Sequence, residues 1–516
     1  MIGSGQNERK APLHGGALVL LTVFVAFSTF MEVLDITIVN VSVPHIAGSL
    51  SVSIQEGTWA ISSYSLASAI MQPLTGWIAR RFGEVKVFCI SVSLFVLFSM
   101  LCGLSISMPM LVVFRLLQGA VSGPMVPLSQ TLLLNNYPNE KKGLAMALWA
   151  MTILIAPIMG PILGGWLTDN LSWPWIFFIN VPVGALAALV TWSLLSRRES
   201  TTERKPIDLT GIMLLVIGVG CLQFMLDNGN DKDWFASPVI LALGIVAVIS
   251  LAFLIVWELT DEHPAVDLSL FRKPNFRYGT IALSLGFFAF FGINVVYPLW
   301  LQVVLGYTAT WAGLATAPVG IIALVLMPFI GANMRRLNLR ALTTFAFLVF
   351  AFTSFWFSHF NTDASFGQLI MPRLVQGFGV ACFFVPLNQI LLSGLKPGEV
   401  ANASGLSNFF RTIAGSISTA VTVTLWQHRG IYHHAILVEN VRTSSPGTAH
   451  YLDMLSRMHF PDLPGYAALE QILNRQALTL AINDIFWLFG IVFVLIIGAI
   501  WLTKPPFINI AAEGHM

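Results

Sequence analysis

The sequence predicts an all-α polytopic membrane protein with fourteen transmembrane helices. Three observations carry that prediction: composition, the spacing of apolar runs, and the distribution of Lys and Arg. Hydrophobic residues make up 56% of the 516 residues and charged residues 10%, and the mean hydropathy is +0.77. A soluble globule uses about 25% charged residues to cover its surface, so hydrocarbon rather than water is the main solvent. The net charge of +2 offers no general attraction for nucleic acid. Four cysteines, Cys89, Cys102, Cys221 and Cys382, lie far apart within apolar runs and read as small buried side chains rather than disulfides or metal ligands.

A helix needs about 20 mostly apolar residues to cross a bilayer. Residues 1–15 are polar and lack the apolar core and cleavage site of a signal peptide, so the first run, 16–38, is expected to be a retained span. The next runs fall near 57–79, 86–106, 109–133, 143–167 and 175–196. Two more, 209–226 and 236–258, are separated by a short polar link. The remainder lie near 276–301, 310–331, 340–359, 367–393, 400–427 and 480–503. Gly and Pro interrupt several of them, which spans tolerate where neighbours re-satisfy the backbone. Nineteen of the 27 basic residues fall in segments on one side if the N-terminus is cytoplasmic, which predicts cytoplasmic N- and C-termini. Residues 428–479 form one long outside segment containing His428, His433, His434, His450 and His459. Their irregular spacing and the lack of Cys argue for a solvated loop, a length that suits a docking surface.

Two parts of the chain read alike. RLLQG at 115–119 and PLSQTLL at 127–133 answer RLVQG at 373–377 and PLNQILL at 386–392. TWA at 58–60 answers TWA at 310–312, and GWIARR at 76–81 answers GANMRR at 331–336, with offsets of 252 to 259. A repeat at half the chain length predicts two similar bundles around a midplane site, as in transporters. The expected organisation is a cytoplasmic segment (1–15), a six-helix bundle (16–200), an inserted two-helix hairpin (201–262), a second six-helix bundle (263–503) and a cytoplasmic tail (504–516).

Residues able to hold or exchange charge in hydrocarbon are few. Glu32 and Asp35 are the acids well within a span, and their spacing puts them on one helix face. A charge at the bilayer centre costs roughly 2.5–3.5 kcal/mol on insertion scales, so an adjacent pair suits a site that loads and releases protons as a unit. Either acid could instead simply pair with a buried arginine. Arg115, inside the fourth span, is the natural fixed counter-charge. Arg373, its repeat mate, starts a span and could snorkel to the interface. Arg411 reads as structural. Phe287, Phe288, Phe290, Phe291, Asn294 and Tyr297 form an aromatic wall with polar groups, suited to a flat hydrophobic ligand. Phe291, Asn294, Tyr297, Gln118 and Arg373 are the substrate-binding candidates. No Gly-Lys dipeptide occurs, which excludes a P-loop ATPase. HExxH and CxxC motifs are also missing, so an enzyme, a metal centre or a bound cofactor is not expected.

These segments resemble the major facilitator superfamily from about 17 to 503, and within it the fourteen-span drug:proton antiporters of the EmrB/QacA type. LDITIVNVSVP (34–44) is similar to the motif ending their first span, GWIARRFGEVKVF (76–88) to the loop after the second, LVVFRLLQGAVSGP (111–124) to the fourth span and APIMGPILGG (156–165) to the fifth-span antiporter motif. WPWIFFINVP (173–182) and WLTKPPF (501–507) point to the EmrB branch. The resemblance implies the major facilitator fold, and proton coupling by Asp35 and Arg115; Glu32, where the family often has an uncharged residue, is a coupling candidate by its place beside Asp35 alone. It implies a gating role for Gly160, Pro161, Gly164 and Gly165, and a loop motif of Gly76, Arg81 and Gly83. That loop carries Arg80 where the family usually has an acid, so a charge relay there is not expected. The implied activity is drug:proton antiport in the inner membrane, driven by the proton gradient. The implied partners are an EmrA-like periplasmic adaptor and a TolC-like outer-membrane channel. A dedicated exporter of one metabolite, lipid or siderophore is the alternative within transport; a receptor or channel fits the repeat and Asp35 less well.

Overall fold

A computed structural model describes residues 13–200, 202, 206, 208–262, 264–334, 336–439, 441, 446–457 and 462–507. The expected terminal segments therefore appear only in part. Arg9, Lys10, Arg204, Lys205, Arg335, Arg442 and His459 lie outside the described residues, as does the side chain of Pro161.

Helices account for all regular structure among these residues. The first half comprises α1 (Gly15–Ser49), α2 (Ile54–Phe82), α3 (Glu84–Gly103), α4 (Met108–Ser122), α5 (Met125–Asn136), α6 (Lys142–Asn170), α7 (Trp175–Phe178) and α8 (Asn180–Leu195). A hairpin follows, α9 (Leu209–Asn228) and α10 (Pro238–Thr260). The second half comprises α11 (Pro274–Val303), α12 (Ala309–Thr316), α13 (Pro318–Asn333), α14 (Leu339–Phe357), α15 (Phe366–Leu392), α16 (Val400–Glu439), α17 (Pro446–Arg457) and α18 (Asp462–Trp501). Glycine and proline subdivide several spans: α4 meets α5 at Gly123–Pro124, and α12 meets α13 at Ala317–Pro318. Proline has no N–H to continue the ladder, and neighbouring helices cover each break.

Eleven stretches among the described residues are long and apolar enough to cross a bilayer, twelve with the bent α6. The sequence count of fourteen is reached only by adding α2 and α16. These are 29 and 40 residues long but too polar to qualify by composition. Their polarity has a structural cause, because they pack against each other and join the two halves. Gln72 of α2 accepts from Thr412 of α16 (2.9 Å), and Asn408 of α16 donates to Gln130 of α5 (3.2 Å). Gly405 presses on the backbone of Gln72, and Gly143 of α6 on that of Gly331 of α13. Gly143 follows Lys142, and Gly405 lies near the start of α16, so this seam runs from mid-span to the end of the bundle that carries Arg80, Arg81, Lys142 and Lys396. The halves are therefore closed against each other at their basic end.

The hairpin flanks this seam on its outer side. It leans on α2 and α16 and turns most of α10 outward, with Val248, Phe253 and Val256 exposed. A helix apolar on its outer face belongs in lipid.

Residues 428–479, expected as a solvated loop, are largely helical where described. α16 continues to Glu439, α17 covers 446–457, and α18 starts at Asp462. The two long helices brace each other there. Asp484 takes Arg429 (2.6 Å) and His433 (2.7 Å), His434 meets Glu470 (2.9 Å), and Trp426 donates to the Leu478 carbonyl (3.0 Å). Helical extensions outside hydrocarbon need no apolar surface, so hydropathy does not reveal them.

Candidate functional site

The middle of α1 carries Thr29, Met31, Glu32, Leu34 and Asp35, all buried. Asp35 is fully enclosed. Burying a carboxylate is expensive unless it is paired and hydrogen-bonded, and here both oxygens are satisfied. Oδ2 is ion-paired with Nη1 of Arg115 on α4. Oδ1 accepts from Nδ2 of Asn180 (2.9 Å) and Nε2 of Gln118 (3.3 Å). The supporting groups are fixed in turn. Arg115 Nε donates to the Ala60 carbonyl (2.8 Å), Nη1 also donates to Gln118 Oε1 (2.9 Å), and the guanidinium lies 4.2 Å from the Tyr64 ring centre. Asn180 donates also to Ser99 (3.0 Å), whose hydroxyl donates to the Phe177 carbonyl (2.9 Å). Helices α4 and α8 thus converge on the carboxylate of α1, supported from behind by α2, α3 and α7.

Glu32 shares that face of α1 but not those partners. It is buried, and its Oε2 has no hydrogen-bond partner among the described residues. Its opposite charge comes from Arg411 of α16. One acid is tied to its own half and the other faces the second half.

Arg373 does not snorkel. It is fully buried in α15, with Nη1 donating to Asn294 Oδ1 (3.1 Å) and Gln376 Oε1 (2.9 Å). The Tyr297 ring covers it at 4.2 Å and Phe357 at 5.3 Å. Two aromatic faces replace solvent around the cation, which a position near a span's start does not reveal. Tyr297 gives its hydroxyl proton to the Leu369 carbonyl (3.0 Å). The five candidates for substrate contact therefore separate. Asn294, Tyr297 and Arg373 form one cluster, while Gln118 belongs to the Asp35 network. Phe291 stacks on Phe287 (5.3 Å), near Gly415 of α16.

The expected gating residues sit one turn beyond Asp35. α6 bends by 45° between Lys142–Pro157 and Ile162–Asn170, where Pro161 cannot donate to the helix ladder. A Cβ on Gly160 would collide with Thr37, and one on Gly164 with Ile38, so α6 lies directly on α1. Gly165 has open space beside it and takes no part in that contact.

In the loop motif, a Cβ on Gly76 would run into Asn402 of the other half. Gly83 adopts φ +97°, and the space a Cβ would need is taken by Glu199. Left-handed backbone of that kind is open to glycine at little cost. Arg81 lies 5.7 Å from the Trp77 ring. Sequence reasoning missed Glu199, whose oxygens accept the N–H groups of Val85 and Lys86 (2.9 Å each) and so cap α3. It also missed the roles of Asn180 and Ser99. Asn180 stands within the motif at 173–182, the one signal that could have found it.

Comparison with known proteins agrees with this architecture. A sequence profile of the Major Facilitator Superfamily matches residues 25–419. The chain is 49% identical over 501 residues to the multidrug export protein EmrB of Escherichia coli K12, covering 97% of this chain and 98% of that one. It is 46% identical over 504 residues to the fatty acid resistance protein FarB of Neisseria gonorrhoeae, covering 98% and 99%. The crystal structure of the human organic anion transporter MFSD10 superposes with a TM-score of 0.59 at 13% identity, covering 93% of this chain and all of that one; that likeness concerns the fold.

Proposed function

The chain belongs to the major facilitator superfamily, and on that footing we propose that it exports hydrophobic and amphipathic drugs in exchange for protons. It is an integral membrane transporter rather than an enzyme. Relatives of nearly full-length similarity named for multidrug export support drug efflux, and the name FarB extends the range to fatty acids. The observation carrying proton exchange is Asp35. It is the carboxylate most completely enclosed in the first half, ion-paired with a cation that cannot discharge.

A proton arriving on Asp35 would neutralise it and release Arg115, so the packing of α1 against α4 depends on protonation. Gly160 and Gly164 hold α6 against the next turn of α1, which lets that change reach the bent helix lining the seam. This supports a cycle in which protonation from outside opens one route and closes the other. The direct test uses Asp35→Asn in the full-length protein in vesicles. Drug-driven proton release should fall to background, and exchange at the normal rate would refute the assignment.

The basic end of the bundle supports an orientation with both termini cytoplasmic, and the similarity to EmrB supports an inner-membrane location. On the opposite side, the projecting ends of α16 and α18 are where a periplasmic adaptor, and through it an outer-membrane channel, would engage. Shortening the tip across 440–461 should abolish adaptor capture and preserve membrane insertion; unchanged capture would reject that surface.

A further inference from the structure

The repeat that relates the halves also relates their buried arginines. Arg115 and Gln118 recur as Arg373 and Gln376, and the place of Asp35 is taken by Asn294, 259 residues further on. In the first half the guanidinium and the amide meet on a carboxylate. In the second half there is no such acid. Nε and Nη2 of Arg373 and Nε2 of Gln376 lack hydrogen-bond partners among the described residues, although Arg373 is fully buried. A buried cation without a counter-ion costs several kcal/mol, and unmade hydrogen bonds add to that. Nε and Nη2 form the edge of the guanidinium that takes a carboxylate in two parallel bonds. Tyr297 and Phe357 lie over the guanidinium, both fully buried, and the Tyr297 hydroxyl stands beside it as a hydrogen-bonding neighbour.

We propose that Arg373, with Gln376, is a recognition site for the carboxylate of hydrophobic weak-acid substrates, which supplies in the second half the anion that Asp35 supplies in the first. The proposal rests on the drug-export reading and deepens it. Asn294 fits this role because its amide oxygen orients the guanidinium through Nη1 without neutralising it. The bidentate edge is left for the ligand, while the aromatic rings accept its hydrocarbon. Arg373 becomes accessible only when α15 moves relative to α11 and α14, so binding is tied to the transport cycle.

The test compares two probes, decanoate and ethidium, in vesicles containing the full-length protein. With Arg373→Gln the ratio of decanoate to ethidium export should fall at least tenfold. Asn294→Asp places a carboxylate beside Arg373 and keeps the cation paired, so it guards against misfolding of the first variant. It should lower the same ratio by a similar factor. An unchanged ratio in both variants, whether export of the two probes is kept or lost together, would overturn the proposal. Wild-type export of ethidium without decanoate would overturn it too and leave drug export standing. Export of neither probe by the wild type would sink both.

Discussion

The two halves bury the same arginine in opposite ways. Arg115 sits against an acid, and every polar atom of that acid is engaged. Arg373 sits against an amide, with both Nε and Nη2 unpartnered among the described residues, where Arg115 leaves only Nη2; aromatic rings cover both cations. Both sites fall in one internal repeat, and the charge difference between them is Asp against Asn at positions 35 and 294. The lesson is electrostatic. A built-in carboxylate makes a site that answers to protons, because neutralising it breaks an ion pair. An uncharged amide leaves the cation to whatever anion reaches it. On the proposed reading, a symmetric scaffold gains two distinct inputs.

The sharpest way to break the comparison is to remove each cation. Arg115→Gln strands a fully buried carboxylate, which costs about 3–5 kcal/mol, and should give the largest loss of thermal stability in detergent. Asp35→Asn added to Arg115→Gln should restore much of it, since the double variant has no stranded charge. If Arg373→Gln destabilised as much as Arg115→Gln, the two arginines would be equivalent and the contrast would fail. The second effect concerns orientation. Asn180→Ala removes one hydrogen bond to the carboxylate, worth about 1.5–3 kcal/mol, and should weaken proton-coupled export. Serine at 99 supports it from behind.

The smallest effects concern how the helices are held together. In the first half, α6 lies on α1 through Gly160; in the second, Ser418 of α16 donates to the Phe288 carbonyl of α11 (2.6 Å). Gly160→Ala should cost about 1–3 kcal/mol by overpacking, measured by unfolding of purified protein. Ser418→Ala should cost about 0.5–1.5 kcal/mol. Gly165→Ala, beside open space, should change stability by less than about 0.5 kcal/mol.

Much of this was legible in the sequence. Asp35, Glu32 and Arg115 stood out because charge inside an apolar run needs a reason, and the internal repeat announced a second arginine of the same kind. Asn180 and Ser99 carried no charge signal, because neutral polar residues are unremarkable within a span, and Gln118 was singled out for substrate rather than for Asp35. The burial of Arg373 was hidden for a different reason: its cover, Tyr297 and Phe357, comes from helices remote in sequence. The separate alliances of Glu32 and Asp35 were also invisible, since spacing puts two residues on a face but does not say who stands opposite. The spans α2 and α16 were read as apolar runs near 57–79 and 400–427, although a stricter test of apolar composition passes over both. Their polar residues face each other across the seam, and hydropathy cannot tell that from exposure to water.

The length of α16 and α18 has a mechanical consequence. A 40-residue helix is about 60 Å long, twice the roughly 30 Å thickness of the hydrocarbon. The joined ends, braced by the pairing of Asp484 with Arg429 and His433, therefore behave as an arm fixed to the second half. If that half rocks by about 10° around the bilayer centre, the tip of an arm reaching some 45 Å outward is displaced by roughly 8 Å. A motion of that size would carry the conformational state of the transport pathway well beyond the membrane surface.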